Sequence, residues 1–79
     1  IPNPSQTKTK ISFFLAEKQV VNIAVHNVLG ELVEVLADSY YNPGTHELEM
    51  QVSHIEAGSY FYTMRAGEYE KTKQLIILK

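Results

Sequence analysis

Three histidines are the first residues of this sequence that could do chemistry, because neutral imidazole is a common metal ligand. His26, His46 and His54 lie on different segments, and no two of them are two or four residues apart. No carboxylate stands at ligand spacing beside them. We therefore expect no metal site and interpret the three as histidines of strand faces or loops.

The carboxylates and hydroxyls also form no catalytic pattern. Glu47 and Glu49 share one face of a predicted strand, but that face is otherwise polar, so we expect solvated side chains. No Gly-x-Ser-x-Gly elbow places a serine nucleophile, and each of the four glycines stands at a predicted turn instead of in a phosphate-binding loop. We predict that the domain is not an enzyme, has no catalytic residues and uses no cofactor.

The aromatic residues offer a different chemistry, the stacking of rings on a sugar. Tyr40 and Tyr41 adjoin a Pro-Gly loop and are the best candidates for a ligand platform. Tyr60 and Tyr62 are two positions apart, and we expect both rings to fill the core while each hydroxyl reaches the rim. A carbohydrate-binding or adhesive module of an extracellular enzyme is therefore the alternative function.

The lysines near the C-terminus have two interpretations. Lys71, Lys73 and Lys79 fall on the last predicted strand. Lysine on an edge strand discourages edge-to-edge aggregation, but the same strand and its lysines could instead form a docking surface. The residues alone do not separate these alternatives.

The composition indicates one small globular domain. The chain has 79 residues, of which 44% are hydrophobic and 20% charged. The absence of cysteine excludes disulfide scaffolds and thiol chemistry, and no apolar run approaches the ~18 residues that span a bilayer. The net charge of −2 does not indicate a nucleic-acid partner, and we expect no direct membrane insertion.

The charges are distributed unevenly along the chain. Every lysine and arginine lies within residues 1–18 or 65–79, whereas six acids lie between these two segments. If the two ends of the chain lie side by side, one edge of the domain is basic. We expect the termini to lie in neighbouring strands.

The first six residues predict a boundary. Pro2 and Pro4 favour extended backbone and cannot donate to a β-ladder. We predict that residues 1–6 form a linker entering the domain and that residues 7–79 form a single β-sandwich. Because the chain begins at Ile1 instead of methionine, we expect it to be a fragment of a longer protein.

Apolar side chains recur at a period of two, which predicts β-strands. The clearest case is His46, Leu48, Met50 and Val52, which alternate with polar residues and predict a strand with one solvated face. The predicted strands are residues 9–15, 20–27, 31–36, 45–52, 59–66 and 68–79.

Turn signals separate these strands. Residues 37–44 are predicted to be a loop, because Asn-Pro-Gly at 42–44 is a strong turn signal. Residues 27–30 fit a type I turn, and their apolar middle predicts that Val28 or Leu29 lies under the core. Short strands at this spacing, without a helical period, predict an all-β fold. We prefer an antiparallel β-sandwich of the six predicted strands to a small barrel.

Five short segments resemble, in their order, those of a known family. They are PNP at 2–4, NVLGELV at 27–33, PGTHEL at 43–48, AGSYFY at 57–62 and KTKQLIILK at 71–79. The set is similar to the type A C-terminal sorting domains of the type IX secretion system, over nearly the whole chain. The related immunoglobulin-like module of flagellar hook-capping proteins usually carries Trp-Asp-Gly after its fourth strand, where this chain has Met50, Gln51 and Val52. This departure favours the sorting domain.

The resemblance implies a seven-stranded immunoglobulin-like sandwich at the C-terminus of a cargo protein in Bacteroidetes-type Gram-negative bacteria. It implies that the cargo folds in the periplasm and that the outer-membrane translocon and a shuttle protein recognise the domain. The cargo would then reach the cell surface or be secreted. A surface sortase usually removes such a domain by cutting in the preceding linker, which here means at or before Ile1.

The resemblance also supplies candidate recognition residues. Gly58 and Tyr60 match the Gly-x-Tyr motif of the family, and residues 73–79 match its terminal signal strand. An ordered C-terminal strand is also suited to strand addition by a partner. The candidate residues for recognition by the translocon or shuttle protein are Gly58, Tyr60, Lys71, Lys73, Leu75, Ile77 and Lys79.

Overall fold

Six β-strands and no helix form the computed structural model, which describes residues 8–78. The strands are β1 (Lys8–Leu15), β2 (Gln19–Asn27), β3 (Leu32–Tyr41), β4 (Gly44–Gln51), β5 (Gly58–Ala66) and β6 (Tyr69–Ile77). All neighbouring strands are antiparallel. The predicted linker at 1–6 lies outside the described residues.

The strands form two sheets that pack as a sandwich. One sheet consists of β1 and β4, and the other has the order β3-β2-β5-β6. This arrangement confirms the all-β sandwich and is consistent with the immunoglobulin-like fold. The described residues form six strands, within the expected range of six to seven.

The core lies between the sheets in two clusters of buried side chains. Leu36 and Tyr62 are partly buried and pack against both clusters, so they connect the two halves of the core. The first cluster consists of Phe13, Leu15, Val21, Ile23, Ala37 and Ala66. The second consists of Val25, Met50, Val52, Ile55, Tyr60 and Ile77.

Strand β4 has the alternation that the sequence predicts. Met50 is fully buried, whereas Glu47 and Glu49 lie on the solvated face. Each glutamate forms an ion pair with a lysine of β1, Lys10 to Glu47 at 3.6 Å and Lys8 to Glu49 at 3.4 Å. Exposed pairs of this kind contribute about 0–1 kcal/mol to stability.

The turn between β2 and β3 is closed by Asn27. Its Oδ1 accepts hydrogen bonds from the backbone N–H groups of Leu29 and Glu31, at 2.9 and 3.0 Å. The prediction that Val28 or Leu29 lies under the core is wrong, since these side chains are 68% and 80% exposed. The Asn27 side chain satisfies the turn locally, so the apolar residues need no burial to fix it.

Strand β3 is longer than the sequence predicts. The sequence predicts a loop at residues 37–44, but Tyr40 pairs with Val20 and Tyr41 with Gln19, so the strand continues to Tyr41. The register between β2 and β3 shifts twice, between Ile23 and Ala24 and between Val25 and His26. These irregularities break the period of two that would otherwise have identified one continuous strand.

Candidate functional site

The last strand lies at the edge of the larger sheet. β6 pairs with β5 on one side, and within residues 8–78 no strand pairs with its other side. An edge strand of this kind presents a row of backbone N–H and C=O groups that another chain can pair with. Lys79, which the sequence places at the end of this strand, lies outside the described residues.

The side chains of β6 divide the strand into two parts. Leu75 and Ile77 point into the sandwich, where Ile77 is buried and Leu75 packs beside the second core cluster. Tyr69, Lys71 and Lys73 occupy the same side of the strand further towards its start, but they are exposed. The apolar run at 75–78 therefore faces inward at its odd-numbered positions, and Ile76 and Leu78 face solvent.

A groove separates the beginning of β6 from β1. It has a volume of about 510 Å³, and residues 11–15 form one wall while Tyr69, Lys71 and Lys73 form the other. The partly buried side chains of Tyr62 and Met64 contribute to its lining. The first and last strands thus lie on either side of one opening, but they belong to different sheets, so the prediction that they are neighbouring strands is wrong.

The two lysines of the groove lack the acidic partners that Lys8, Lys10 and Arg65 have within the described chain. Lys71 lies opposite Met64 and Lys73 opposite Tyr62 in the β5–β6 register, so each has an apolar cross-strand neighbour. Neither forms an ion pair with another residue of 8–78, whereas Arg65 pairs with Glu70 at 3.3 Å. Two positive charges two positions apart, about 6.6 Å along a strand, are therefore available to a partner.

Gly58 and Tyr60 lie directly beside the end of β6. Gly58 pairs with Ile77, and Tyr60 pairs with Leu75. Four of the residues that the resemblance singles out are therefore brought together by one antiparallel ladder. The φ angle of Gly58 is 150°, a backbone conformation that L-residues other than glycine rarely adopt.

Tyr60 is a structural residue of the sandwich. Its ring is buried, and its hydroxyl donates a 2.7 Å hydrogen bond to the backbone carbonyl of Glu56. A tyrosine near the start of a strand whose hydroxyl bonds to backbone a few residues upstream is the tyrosine corner of immunoglobulin-like sandwiches. Tyr62 is half-buried and packs against the core, as predicted.

Tyr40 and Tyr41 point to opposite sides of β3 and do not form one platform. Tyr40 is 69% exposed, with the Lys18 ammonium 5.6 Å from its ring centroid. Tyr41 packs inward, with ring-centroid distances of 5.3 Å to Phe13 and 5.1 Å to His46. A stacked sugar would have to rely on Tyr40.

The histidines and acidic side chains of residues 8–78 do not cluster. No group of three or more histidine, cysteine or acidic side chains there could hold a metal ion. The three histidines are apart: His46 stacks on Phe13 at 5.2 Å, His54 lies 3.9 Å from Glu34, and His26 is on β2. Among the described residues no helix has the length and hydropathy needed to cross a membrane.

Two features of the groove were not singled out from the sequence. Tyr69 lies two residues before Lys71 and on the same side of β6 as Lys71 and Lys73. The period of two in the sequence could have identified it as part of this side. The opposite wall, residues 11–15, comes from the other sheet. Only the tertiary packing shows that β1 and β6 border the same opening.

These features define a class of protein, a small antiparallel β-sandwich with an edge strand suited to recognition by strand addition. Residues 1–78 match the sequence profile of the secretion system C-terminal sorting domain. The chain belongs to this family, the C-terminal sorting domains of type IX secretion. No curated protein and no solved structure matches the chain. Membership implies export to the cell surface or secretion, and the family is generally non-catalytic.

Proposed function

We propose that the domain directs an N-terminal cargo to the outer-membrane translocon through contact of β6 with the translocon or its shuttle protein. The family match over residues 1–78 supports the role in export. The edge of β6, without a strand partner among residues 8–78, is the observation that supports β6 as the contact surface. Passage through the periplasm precedes this contact.

Removal of the domain by a surface sortase is the second part of the proposal. In this scheme residues 1–6 are the linker, residues 7–79 are the folded unit, and the sortase cuts at or before Ile1. The presence of Pro2 and Pro4 supports a linker, because proline favours extended backbone and donates no ladder hydrogen bond.

The candidate recognition residues divide into two roles. Lys71, Lys73 and the free backbone edge of β6 touch the partner, and Lys79 extends the same signal strand. Burial supports a positioning role for the inward side chains, which hold β6 in place instead of touching the partner. These side chains belong to Tyr60, Leu75 and Ile77. Gly58 is exposed and positions β6 through its backbone, which pairs with Ile77.

A transplant tests sufficiency for export. Residues 1–79 are fused to the C-terminus of a periplasmic fluorescent reporter in a bacterium with a type IX system. We expect the reporter on the cell surface or in the medium, and in the periplasm of a translocon mutant. A folded fusion that stays in the periplasm of the competent strain contradicts the proposal.

Substitution of the lysines tests the contact surface in the same reporter. Lys71→Gln/Lys73→Gln removes two exposed charges without removing core side chains, and we expect export to fall. Lys8→Gln/Lys10→Gln removes two charges from the β1–β4 face and is the matched control. Equal export by both variants contradicts contact through Lys71 and Lys73. Deletion of residues 74–79 should also block export, but it removes Ile77 from the core and requires a folding control.

A further inference from the structure

We propose that the groove between β1 and β6 accepts an extended segment of a partner protein that carries two acidic side chains at alternate positions. The segment pairs with the free edge of β6, and its acids face Lys71 and Lys73. This inference rests on the proposed function in that it assigns the segment to a component of the export machinery. The chemistry of the site is argued from the groove itself.

Charge complementarity identifies the occupant as acidic. Lys71 and Lys73 project from the same side of β6 and have no ion-pair partner within residues 8–78. Opposite charges directly across a β-ladder stabilise it, and like charges destabilise it. A strand added to β6 therefore gains most when acids stand opposite both lysines, two positions apart.

The lining of the groove indicates which positions of the partner segment should be apolar. Tyr62 and Met64 line the groove beside the two lysines, and Tyr69 precedes them on β6. An apolar side chain on the added strand can pack against these groups without leaving a buried polar atom unpaired. The segment is therefore expected to read apolar, acid, acid and apolar at alternate positions, with solvated side chains between them.

The same two lysines explain how an exposed edge could remain selective. Charged residues that point inward from an edge strand discourage pairing with arbitrary strands, because such pairing would bury an unpaired ammonium group. An acidic strand removes this penalty and a neutral strand does not. Protection against aggregation and recognition of a partner are thus two consequences of one arrangement.

Binding of a synthetic peptide to the 79-residue chain tests the inference. The probe is a nine-residue peptide, acetylated and amidated, with valine, glutamate, glutamate and valine at positions two, four, six and eight and threonine elsewhere. The matched peptide has glutamine in place of both glutamates. We expect the acidic peptide to bind about tenfold more tightly, because it forms two cross-strand charge pairs that the glutamine peptide cannot form.

Two variants determine whether the groove lysines cause this preference. Lys71→Gln/Lys73→Gln should bind both peptides equally, with the neutral peptide bound at least as well as by the wild type. Lys8→Gln/Lys10→Gln loses the same number of charges and should keep the preference for the acidic peptide. Amide chemical shifts should change in residues 11–15 and 69–73 when the acidic peptide is added to the wild type.

Several results would overturn the inference. They are equal binding of the two peptides by the wild type, a preference that survives in Lys71→Gln/Lys73→Gln, and shift changes confined to β3 and β4. Dimerisation of the wild type through the groove would also overturn it by making a second copy the occupant. If Lys71→Gln/Lys73→Gln loses the peptide preference but is exported normally, the proposed contact in export is contradicted. If the wild type is exported but shows no peptide preference, only this inference is contradicted.

Discussion

The hydroxyl of Tyr60 donates a 2.7 Å hydrogen bond to the backbone carbonyl oxygen of Glu56, four residues earlier in the chain. This bond connects the loop before β5 to the strand that pairs with β6. The residue that the family resemblance marks as part of a signal motif therefore fixes the backbone next to the terminal strand. Its contribution to export would be indirect, through the position of β6.

Removal of this hydroxyl should destabilise the sandwich. Tyr60→Phe keeps the buried ring but leaves the Glu56 carbonyl without its side-chain donor, and we expect the free energy of unfolding to fall by about 1–2 kcal/mol. Urea-induced unfolding measures the change. Tyr69→Phe is the control, because Tyr69 is 54% exposed, and it should change stability by less than about 0.5 kcal/mol. Equal free energies of unfolding for the two variants would show that the hydrogen bond from Tyr60 to Glu56 does not stabilise the domain.

Two adjacent isoleucines of β6 should differ sharply in their contribution to stability. Ile77 is 1% exposed and Ile76 is 48% exposed. Ile77→Ala should lower the free energy of unfolding by about 2–4 kcal/mol, because it removes methyl groups from the second core cluster. Ile76→Ala should cost less than about 1 kcal/mol.

Thermal or urea unfolding of the two variants checks this prediction. The pair is matched in chemistry and differs by one position, so only the side of β6 changes. If Ile76→Ala proves the more destabilising variant, β6 has the opposite register from the one in the structure, since a shift by one residue exchanges the two faces of a strand.

Tyr40 and Tyr41 form a second matched pair. Tyr41→Ala removes a ring that packs edge-on against Phe13 at 5.3 Å and should cost about 1–3 kcal/mol. Tyr40→Ala should leave the free energy of unfolding within about 0.5 kcal/mol of the wild type. Unfolding in urea distinguishes the two, and similar losses for both variants would contradict the packing of Tyr41.

The same pair tests the alternative function, carbohydrate binding. A glycan that stacks on the domain should lose its affinity in Tyr40→Ala, because Tyr40 is the exposed ring of the two. Glycan-array binding by the wild type that disappears in this variant would support the alternative. The absence of any glycan binding by the folded wild type would count against it.

Most of the strands could be predicted from local patterns. In β4 the alternation around Met50 is strict, since this strand has one buried and one solvated face. In β3 it is not, because two register shifts move side chains from one face to the other. Residues 37–41 lie beyond both shifts and pair in regular register with residues 19–23 of β2. The loop predicted there follows from the Asn-Pro-Gly signal at 42–44, because the pairing that extends the strand up to this signal is a long-range property.

For the candidate site, the sequence provides a list of residues but not their arrangement in space. The resemblance identified Gly58, Tyr60 and the last strand, but their direct pairing is a matter of sheet register. The groove depends on how the two sheets pack, because β1 and β6 are not neighbours in either sheet. No period in the sequence indicates that Phe13 and Lys71 line one opening.

Gly58 should resist replacement for a conformational reason. Its φ of 150° is unfavourable for L-residues, yet a Cβ added there would meet no atom within 4 Å. Gly58→Ala should therefore lower the free energy of unfolding by about 1–3 kcal/mol through backbone strain alone, as urea unfolding would measure.

A mirror-image substitution separates strain from crowding at this position. The 79-residue chain is short enough for chemical synthesis with D-alanine in place of Gly58. D-Alanine prefers positive φ, so it should retain the stability of the wild type, whereas L-alanine should not. Because Gly58 pairs with Ile77, the strained variant should also weaken hydrogen-exchange protection at the end of β6. An equal loss of stability with L-alanine and D-alanine would show that the site rejects the added methyl group and not the backbone angle.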